Sequence, residues 1–224
     1  MGSSLSFFKK FLGDSAAETA QVTGVSVFQG RVTRRSSGLQ EFVRALGKEE
    51  GLRILDLGPT SPTNIARLTE QGHKVYNEDL LLASMDPSFQ DRSEDGKPIV
   101  SPERFLAENL HHERNKFDGV LCWDVPDYLN ESLVKPMVER LHTITKPGGL
   151  LLAFFHTRDA GPEAPYYRYH IVGNGNDTLE LQKGPRFRLQ RVFNNRHIEN
   201  LFKDYGSLKF FLAKDNVREV LVVR

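Results

Sequence analysis

Residues 53–62 read RILDLGPTSP. The first six are an apolar run that ends at Gly58, and a run of this kind bounded by glycine is typical of a buried strand. Ser61 followed by Pro62 predicts the beginning of a helix, because serine caps free amide groups and proline fits the first helical turn. A second strand is predicted over residues 73–79, so this part of the chain is a β-α-β unit.

The alternation of strands and helices continues beyond this unit, which favours an α/β fold. Buried strands are predicted at 117–123 and 150–155, and helices after Ser36, from Pro102 and over 131–145. Residues 84–101 hold two prolines and a glycine among polar neighbours and predict a long loop. Residues 156–193 predict an antiparallel insertion, Asn195 caps a further helix, and residues 208–213 and 217–223 predict a terminal β-hairpin.

The composition describes one globular domain and disfavours two classes of partner, nucleic acid and membranes. The chain has 224 residues and a formal charge of +1, so we expect no nucleic acid or membrane partner. Its one cysteine, Cys122, cannot form an internal disulfide, and we expect a cytoplasmic protein. Residues 1–36 predict a flexible segment ahead of a domain over 37–224. An alternative for residues 1–12 is a short basic membrane anchor.

Taken together, five features resemble the class I S-adenosylmethionine-dependent methyltransferases. They are residues 54–58, the acidic strand end at Asp79, residues 117–121, the Lys-Pro-Gly-Gly turn at 146–149 and the terminal hairpin. The resemblance covers roughly residues 37–224. It implies a Rossmann-like, doubly wound, seven-stranded sheet whose last strand is antiparallel, with a β insertion after its fifth strand.

The resemblance also implies a site for S-adenosylmethionine at the carboxyl ends of the strands. Gly58 would let the donor approach the backbone, and the helix beginning at Ser61 would bind the donor's carboxylate. Asp79 would accept hydrogen bonds from the ribose, with Glu78 as the alternative. The residues expected to hold the donor are Asp56, Gly58, Thr60, Ser61, Asn64, Glu78, Asp79, Trp123 and Asp124.

The loop departs from the family pattern at two positions. Thr60 and Pro62 stand where such methyltransferases usually have further glycines, and neither has glycine's conformational freedom. One interpretation is that the side chains of Thr60, Ser61 and Asn64 replace the lost backbone contacts. The alternative is a non-catalytic binding or scaffold domain whose donor pocket has decayed. The same departure counts against a nicotinamide cofactor.

No residue stands out as a catalytic base. The donor is already activated, and methyl transfer by in-line displacement depends mainly on alignment. If the acceptor is a hydroxyl, His156 is the candidate base, the alternative being an ordinary polar residue at a strand end. Residues 156–193 are the expected cover of a small-molecule acceptor. Trp123 either contacts the ligand or fills the core, and no metal site is expected.

Overall fold

A computed structural model describes residues 26–28, 31–47, 49–92, 94–96, 98–158, 165–173, 175, 177–212 and 215–224. In chain order the elements are β1 (Ser26–Phe28), β2 (Arg31–Arg35), α1 (Ser37–Leu46), β3 (Arg53–Asp56), α2 (Pro62–Glu70), β4 (Lys74–Asn77), α3 (Leu80–Ala83), a 3₁₀ turn (Pro87–Phe89), β5 (Gln90–Arg92), β6 (Pro98–Val100), α4 (Pro102–Glu108), β7 (Phe117–Trp123), α5 (Val125–Tyr128), α6 (Glu131–Ile144), β8 (Thr145–His156), β9 (Pro165–Val172), β10 (Thr178–Arg186), α7 (Asn195–Leu201), β11 (Ser207–Leu212) and β12 (Val217–Val223). The caps predicted at Ser36 and Ser61 are present, and each serine hydroxyl accepts a hydrogen bond from the first helical turn.

The main sheet has the order β11-β12-β8-β7-β3-β4. Strands β4, β3, β7 and β8 are parallel, with β4 at one edge, whereas β12 and β11 pair antiparallel at the other edge. The predicted α/β class and terminal hairpin are therefore confirmed. The chain passes from β3 outward to β4 and returns to β7 on the other side of β3, which places the ligand crevice of a doubly wound fold at the end of β3.

The prediction of seven strands is wrong for the described part of the chain, where this sheet has six. The segment 84–101, expected to be an irregular loop, instead forms the 3₁₀ turn and a separate ribbon of β5 and β6. Phe89 and Val100, near the two ends of the segment, are buried in the core, and this anchors the polar residues between them as a two-stranded ribbon.

A second, antiparallel sheet has the order β1-β2-β10-β9. The predicted pairing of two insertion strands is present in β9 and β10, but residues 187–192, expected to be a third strand, lie outside any strand. On its other side β10 pairs with β2, which comes from the segment expected to be flexible. The boundary of that segment must therefore be corrected, since Arg34 is buried and ion-paired to Asp215 and Glu219. Residues 1–25 lie outside the described residues.

The two sheets share one apolar core on the side of α1. Leu39 and Phe42 of α1 pack with Leu121 and Leu152 of the main sheet, and Ile171 of β9 belongs to the same core. Residues on the other face of the main sheet pack against α4, α6 and α7. This packing brings β9 over the carboxyl ends of β3 and β7, where the candidate site lies.

A substitution at Gly119 tests how tightly α1 packs on the main sheet. A Cβ at Gly119 would lie 2.7 Å from Cζ of Phe42 and 3.0 Å from Ile54. We expect Gly119→Ala to lower the free energy of unfolding by about 1–3 kcal/mol, measured by urea denaturation. The control is Gly206→Ala, whose added methyl would meet nothing closer than 3.5 Å. Equal stability of the two variants would contradict this account of the packing.

Candidate functional site

The loop after β3 is fixed by hydrogen bonds to the neighbouring strand β4. The side chain of Asn77 donates to the carbonyl oxygens of Asp56, at 3.0 Å, and Gly58, at 2.9 Å. Its own carbonyl oxygen accepts a hydrogen bond from the hydroxyl of Thr60. Thr60, a predicted donor ligand, is thus held against β4, and its side chain stabilises the loop.

Asp56 lies at the end of β3 and is almost wholly buried. One carboxylate oxygen accepts from the amide of Gly58, at 3.1 Å, and from Nε1 of Trp123, at 2.7 Å. The other accepts a hydrogen bond from the side-chain amide of Asn64 at 3.1 Å. Burial raises the pKa of Asp56, and these three donors oppose the shift. Both oxygens are therefore engaged by the chain itself.

The indole of Trp123 covers Gly58. A Cβ placed on Gly58 would lie 2.9 Å from Cδ1 of Trp123, so only glycine leaves room for the ring. Trp123 itself has a φ of 50°, in the left-handed region that is unusual for a bulky residue. The side chain of Trp123 is buried in this arrangement.

Strand β9 completes the cover over the loop. The Asn64 side chain donates to the carbonyl oxygen of Tyr169, at 2.9 Å, and accepts from the amide of Ile171, at 2.7 Å. The ring of Tyr169 stacks on Trp123 with centroids 5.0 Å apart and planes 10° apart. The hydroxyl of Ser61, which caps α2, bonds to Nδ1 of His170 at 2.8 Å. The capping hydroxyl at the beginning of α2 is therefore already hydrogen-bonded to a residue of β9.

The two acidic residues after β4 have different surroundings. Glu78 accepts from the amide of Leu110, at 2.9 Å, and pairs with His112 at 2.5 Å, so its carboxylate is committed to the segment after α4. Asp79 caps α3 through the amide of Leu82 at 3.1 Å. Burial raises the pKa of Asp79, and its second oxygen has no hydrogen-bond partner among the described residues. The two carboxylates therefore differ in how far the chain itself engages them.

A second polar group lies at the ends of β7 and β8. Asp127 is fully buried, and one of its oxygens accepts from the backbone amide of His156, at 2.6 Å, and contacts Nδ1 of the same residue at 2.8 Å. Burial raises the pKa of Asp127 to about 6. Burial alone would lower the pKa of His156, but the hydrogen bond to Asp127 and the charge of Asp124 outweigh it and raise that pKa.

Asp124, the last predicted donor ligand, is also fully buried. One of its oxygens accepts from the hydroxyl of Tyr169 at 2.8 Å. The other has no hydrogen-bond partner among the described residues, and neither does the buried hydroxyl of Tyr166. These two buried polar atoms near the site are therefore left without hydrogen bonds, which is uncommon in folded proteins.

These contacts decide whether the methyl donor implied by the resemblance fits the residues as they stand. Its methionine portion would need the space over Gly58, the carboxylate of Asp56 and the beginning of α2. Trp123 fills that space, while Asn64 and His170 engage the polar groups. The arrangement described here does not fit the donor, although the predicted residues Asp56, Gly58, Ser61, Asn64 and Trp123 do come together.

Two residues of this site were not singled out from the sequence. Asn77 and Asp127 each make contacts that hold it together, and no helix was predicted where Asp127 lies. Tyr169 lies in the predicted cover over residues 156–193, but no local signal indicated its contact with Asp124, 45 residues away in the chain.

Other site chemistry is limited in the described residues. Within the described ranges, no group of three or more histidine, cysteine, aspartate or glutamate side chains is placed to hold a metal ion. Burial raises the pKa of the Cys122 thiol, which disfavours a nucleophilic role. None of the helices described is long and apolar enough to cross a membrane.

The family model described as "Methyltransferase domain" matches residues 31–207. Among solved structures, a 1,6-didemethyltoxoflavin-N1-methyltransferase of Burkholderia thailandensis, with bound 1,6-didemethyltoxoflavin and S-adenosylhomocysteine, is 13% identical, with a TM-score of 0.44 over 88% of this chain and 97% of that one. S-adenosylmethionine-dependent methyltransferases of Aquifex aeolicus and Clostridium acetobutylicum are 14% and 16% identical, each with a TM-score of 0.45 over 83% of this chain and 90% of theirs. No curated protein matches the chain significantly.

These TM-scores are below 0.5, so the assignment rests on the family match. That match spans most of the chain, including β3, α2, β7, β8 and the strands of the second sheet that cover them. It confirms, at the level of the family, the predicted enzyme class, a methyltransferase. The chain belongs to the methyltransferase domain family.

Proposed function

We propose that this protein transfers a methyl group from S-adenosylmethionine to a small-molecule acceptor in the cytoplasm. The observation that carries the proposal is the family match over residues 31–207, which includes every predicted donor residue. The near-neutral charge of +1 supports a small acceptor, because nucleic-acid substrates attract basic surfaces.

A cavity beside the site supports the same class of acceptor. It has a volume of about 240 Å³ and lies between α3, the β5–β6 ribbon and the segment after β10. Its walls combine apolar and aromatic side chains with polar ones in similar number, so a small acceptor with both apolar and hydrogen-bonding groups would suit it. The lining includes Leu81, Met85, Tyr128, Asn130, Phe187 and Gln190. Tyr128 connects this cavity to the ring of His156, 5.7 Å away between centroids.

His156 is the residue proposed to take a proton from the acceptor. Its Nδ1 is held by Asp127, and Nε2 has no hydrogen-bond partner among the described residues. An imidazole fixed in this way by a buried carboxylate is a suitable general base for a hydroxyl acceptor. Asp127 acts as a positioning residue, because it orients the ring.

One observation favours a second candidate, a non-catalytic domain of the same fold. The indole of Trp123 lies where the donor would lie, and both oxygens of Asp56 already accept hydrogen bonds from the chain. If this arrangement is permanent, the protein binds no donor. The two candidates differ in one measurable property, which is binding of S-adenosylhomocysteine.

We expect S-adenosylhomocysteine to bind in isothermal titration calorimetry at up to millimolar concentration, and Asp79→Asn to weaken that binding. The asparagine can still cap α3 but carries no charge, so hydrogen bonds to the ribose lose strength. The expected loss is about 10-fold or more in affinity. The control is Asp86→Asn, another residue whose carboxylate caps a turn, by accepting from Ser88. No binding by the wild-type protein would favour the non-catalytic domain.

The interaction of Asp127 with His156 predicts a measurable pKa difference. In the wild-type protein His156 should titrate above its ordinary value of 6.5, because the carboxylate stabilises the charged imidazole. Asp127→Asn keeps a hydrogen-bond acceptor but removes the charge, so the pKa of His156 should fall. Nuclear magnetic resonance titration of the histidine rings measures this, and His156→Gln identifies the signal among seven histidines. An unchanged pKa in Asp127→Asn would contradict the assigned interaction.

A further inference from the structure

A group of buried, mutually bonded side chains lies where a ligand is expected. We call Asp56, Asn64, Trp123, Asp124 and Tyr169 the Trp123 cluster. Within it, the indole donates to Asp56 at 2.7 Å, and the phenol of Tyr169 donates to Asp124 at 2.8 Å. The two rings stack at 5.0 Å. The carboxylate of Asp56 and the space over Gly58, which a donor would use, are thus taken up by the chain itself.

The cluster also fixes an edge of the second sheet. Strand β9 is at the end of the order β1-β2-β10-β9, so one side of its backbone has no strand neighbour within the described sheet. Asn64 of α2 takes that position, donating to the carbonyl of Tyr169 and accepting from the amide of Ile171. Because one amide side chain joins Asp56 to β9, closure of the loop and docking of β9 are coupled.

Two features indicate that the closed arrangement is not the best state available to these residues. Trp123 has a φ of 50°, which is unfavourable for a residue with a large side chain. The second oxygen of Asp124 and the hydroxyl of Tyr166 are buried without hydrogen-bond partners among the described residues. Strain and unsatisfied polar groups of this kind collect at ligand sites, where binding can relieve them.

We infer that the Trp123 cluster is a closed state of the donor site, and that a donor binds only after the indole of Trp123 leaves Asp56 and Gly58. The inference rests on the proposed function. It assigns to Trp123 and Tyr169 the control of donor access. Donor affinity then depends on the fraction of molecules in which the indole has moved, so a change that weakens the closed state tightens binding.

The chain offers a direct probe, because Trp123 is its only tryptophan. Fluorescence of the full-length wild-type protein would be recorded while S-adenosylhomocysteine is added, with acrylamide quenching before and after. The same titration would be followed by calorimetry, which detects binding independently of the indole. We expect binding to shift the tryptophan emission and to change its quenching, since the ring loses its contacts with Asp56 and Tyr169.

A matched pair of variants keeps the probe in place. Tyr169→Phe preserves the ring stack but removes the 2.8 Å hydrogen bond to Asp124. Tyr205→Phe makes the same chemical change away from the cluster, where the hydroxyl donates to the carbonyl oxygen of Val138, on α6, at 3.3 Å. We expect Tyr169→Phe to bind S-adenosylhomocysteine more tightly, by up to about 10-fold, the factor that corresponds to one hydrogen bond to a charged group. Tyr205→Phe should bind like the wild-type protein.

The outcomes separate this inference from the proposed function. If calorimetry detects binding while the tryptophan emission stays constant, or if Tyr169→Phe and Tyr205→Phe bind equally, the closed-state inference is wrong and the methyltransferase function stands. If the wild-type protein, Tyr169→Phe and Tyr205→Phe all fail to bind S-adenosylhomocysteine at millimolar concentration, the proposed function is wrong. The closed-state inference is then wrong as well.

Discussion

The hydrogen bonds of the Asp56 carboxylate determine the arrangement of this site. Asp56 is buried at the end of β3, and a carboxylate in such a place is costly unless its oxygens are bonded. Gly58, Asn64 and Trp123 provide three donors. Each belongs to a different element: the loop, α2 and the end of β7. One side chain therefore sets how the loop, helix and strand meet.

The loop after β3 differs from the family pattern and is held by side-chain hydrogen bonds. Thr60 and Pro62 take positions where glycines are usual, and the loop is held by Asn77 through side-chain contacts. Gly58 remains glycine, and its absent side chain makes room for an indole of the same chain. The methyltransferase framework is thus retained, while the contacts that would hold a donor are made internally. Asp79 and the pair of Asp127 and His156 lie outside these contacts and keep atoms for a ligand.

Local patterns in the sequence predicted most of the main sheet, because continuous apolar runs and the caps at Ser36 and Ser61 act over a few residues. They did not predict the second sheet in full. Its strand β2 has arginines at three of five positions and is held by pairing with β10, far along the chain. The candidate residues were found from motif order, but not their mutual contacts. Trp123 and Asp56 are 67 residues apart, and no pattern showed that they would bond to each other.

The central claim is that, without a donor, the indole of Trp123 fills the space over Gly58. A crystal structure of the protein grown without any donor or analogue tests it most directly. The account predicts the indole nitrogen at about 3 Å from the Asp56 carboxylate, with the ring stacked on Tyr169. An indole turned away from Asp56, with open space over Gly58, would contradict it.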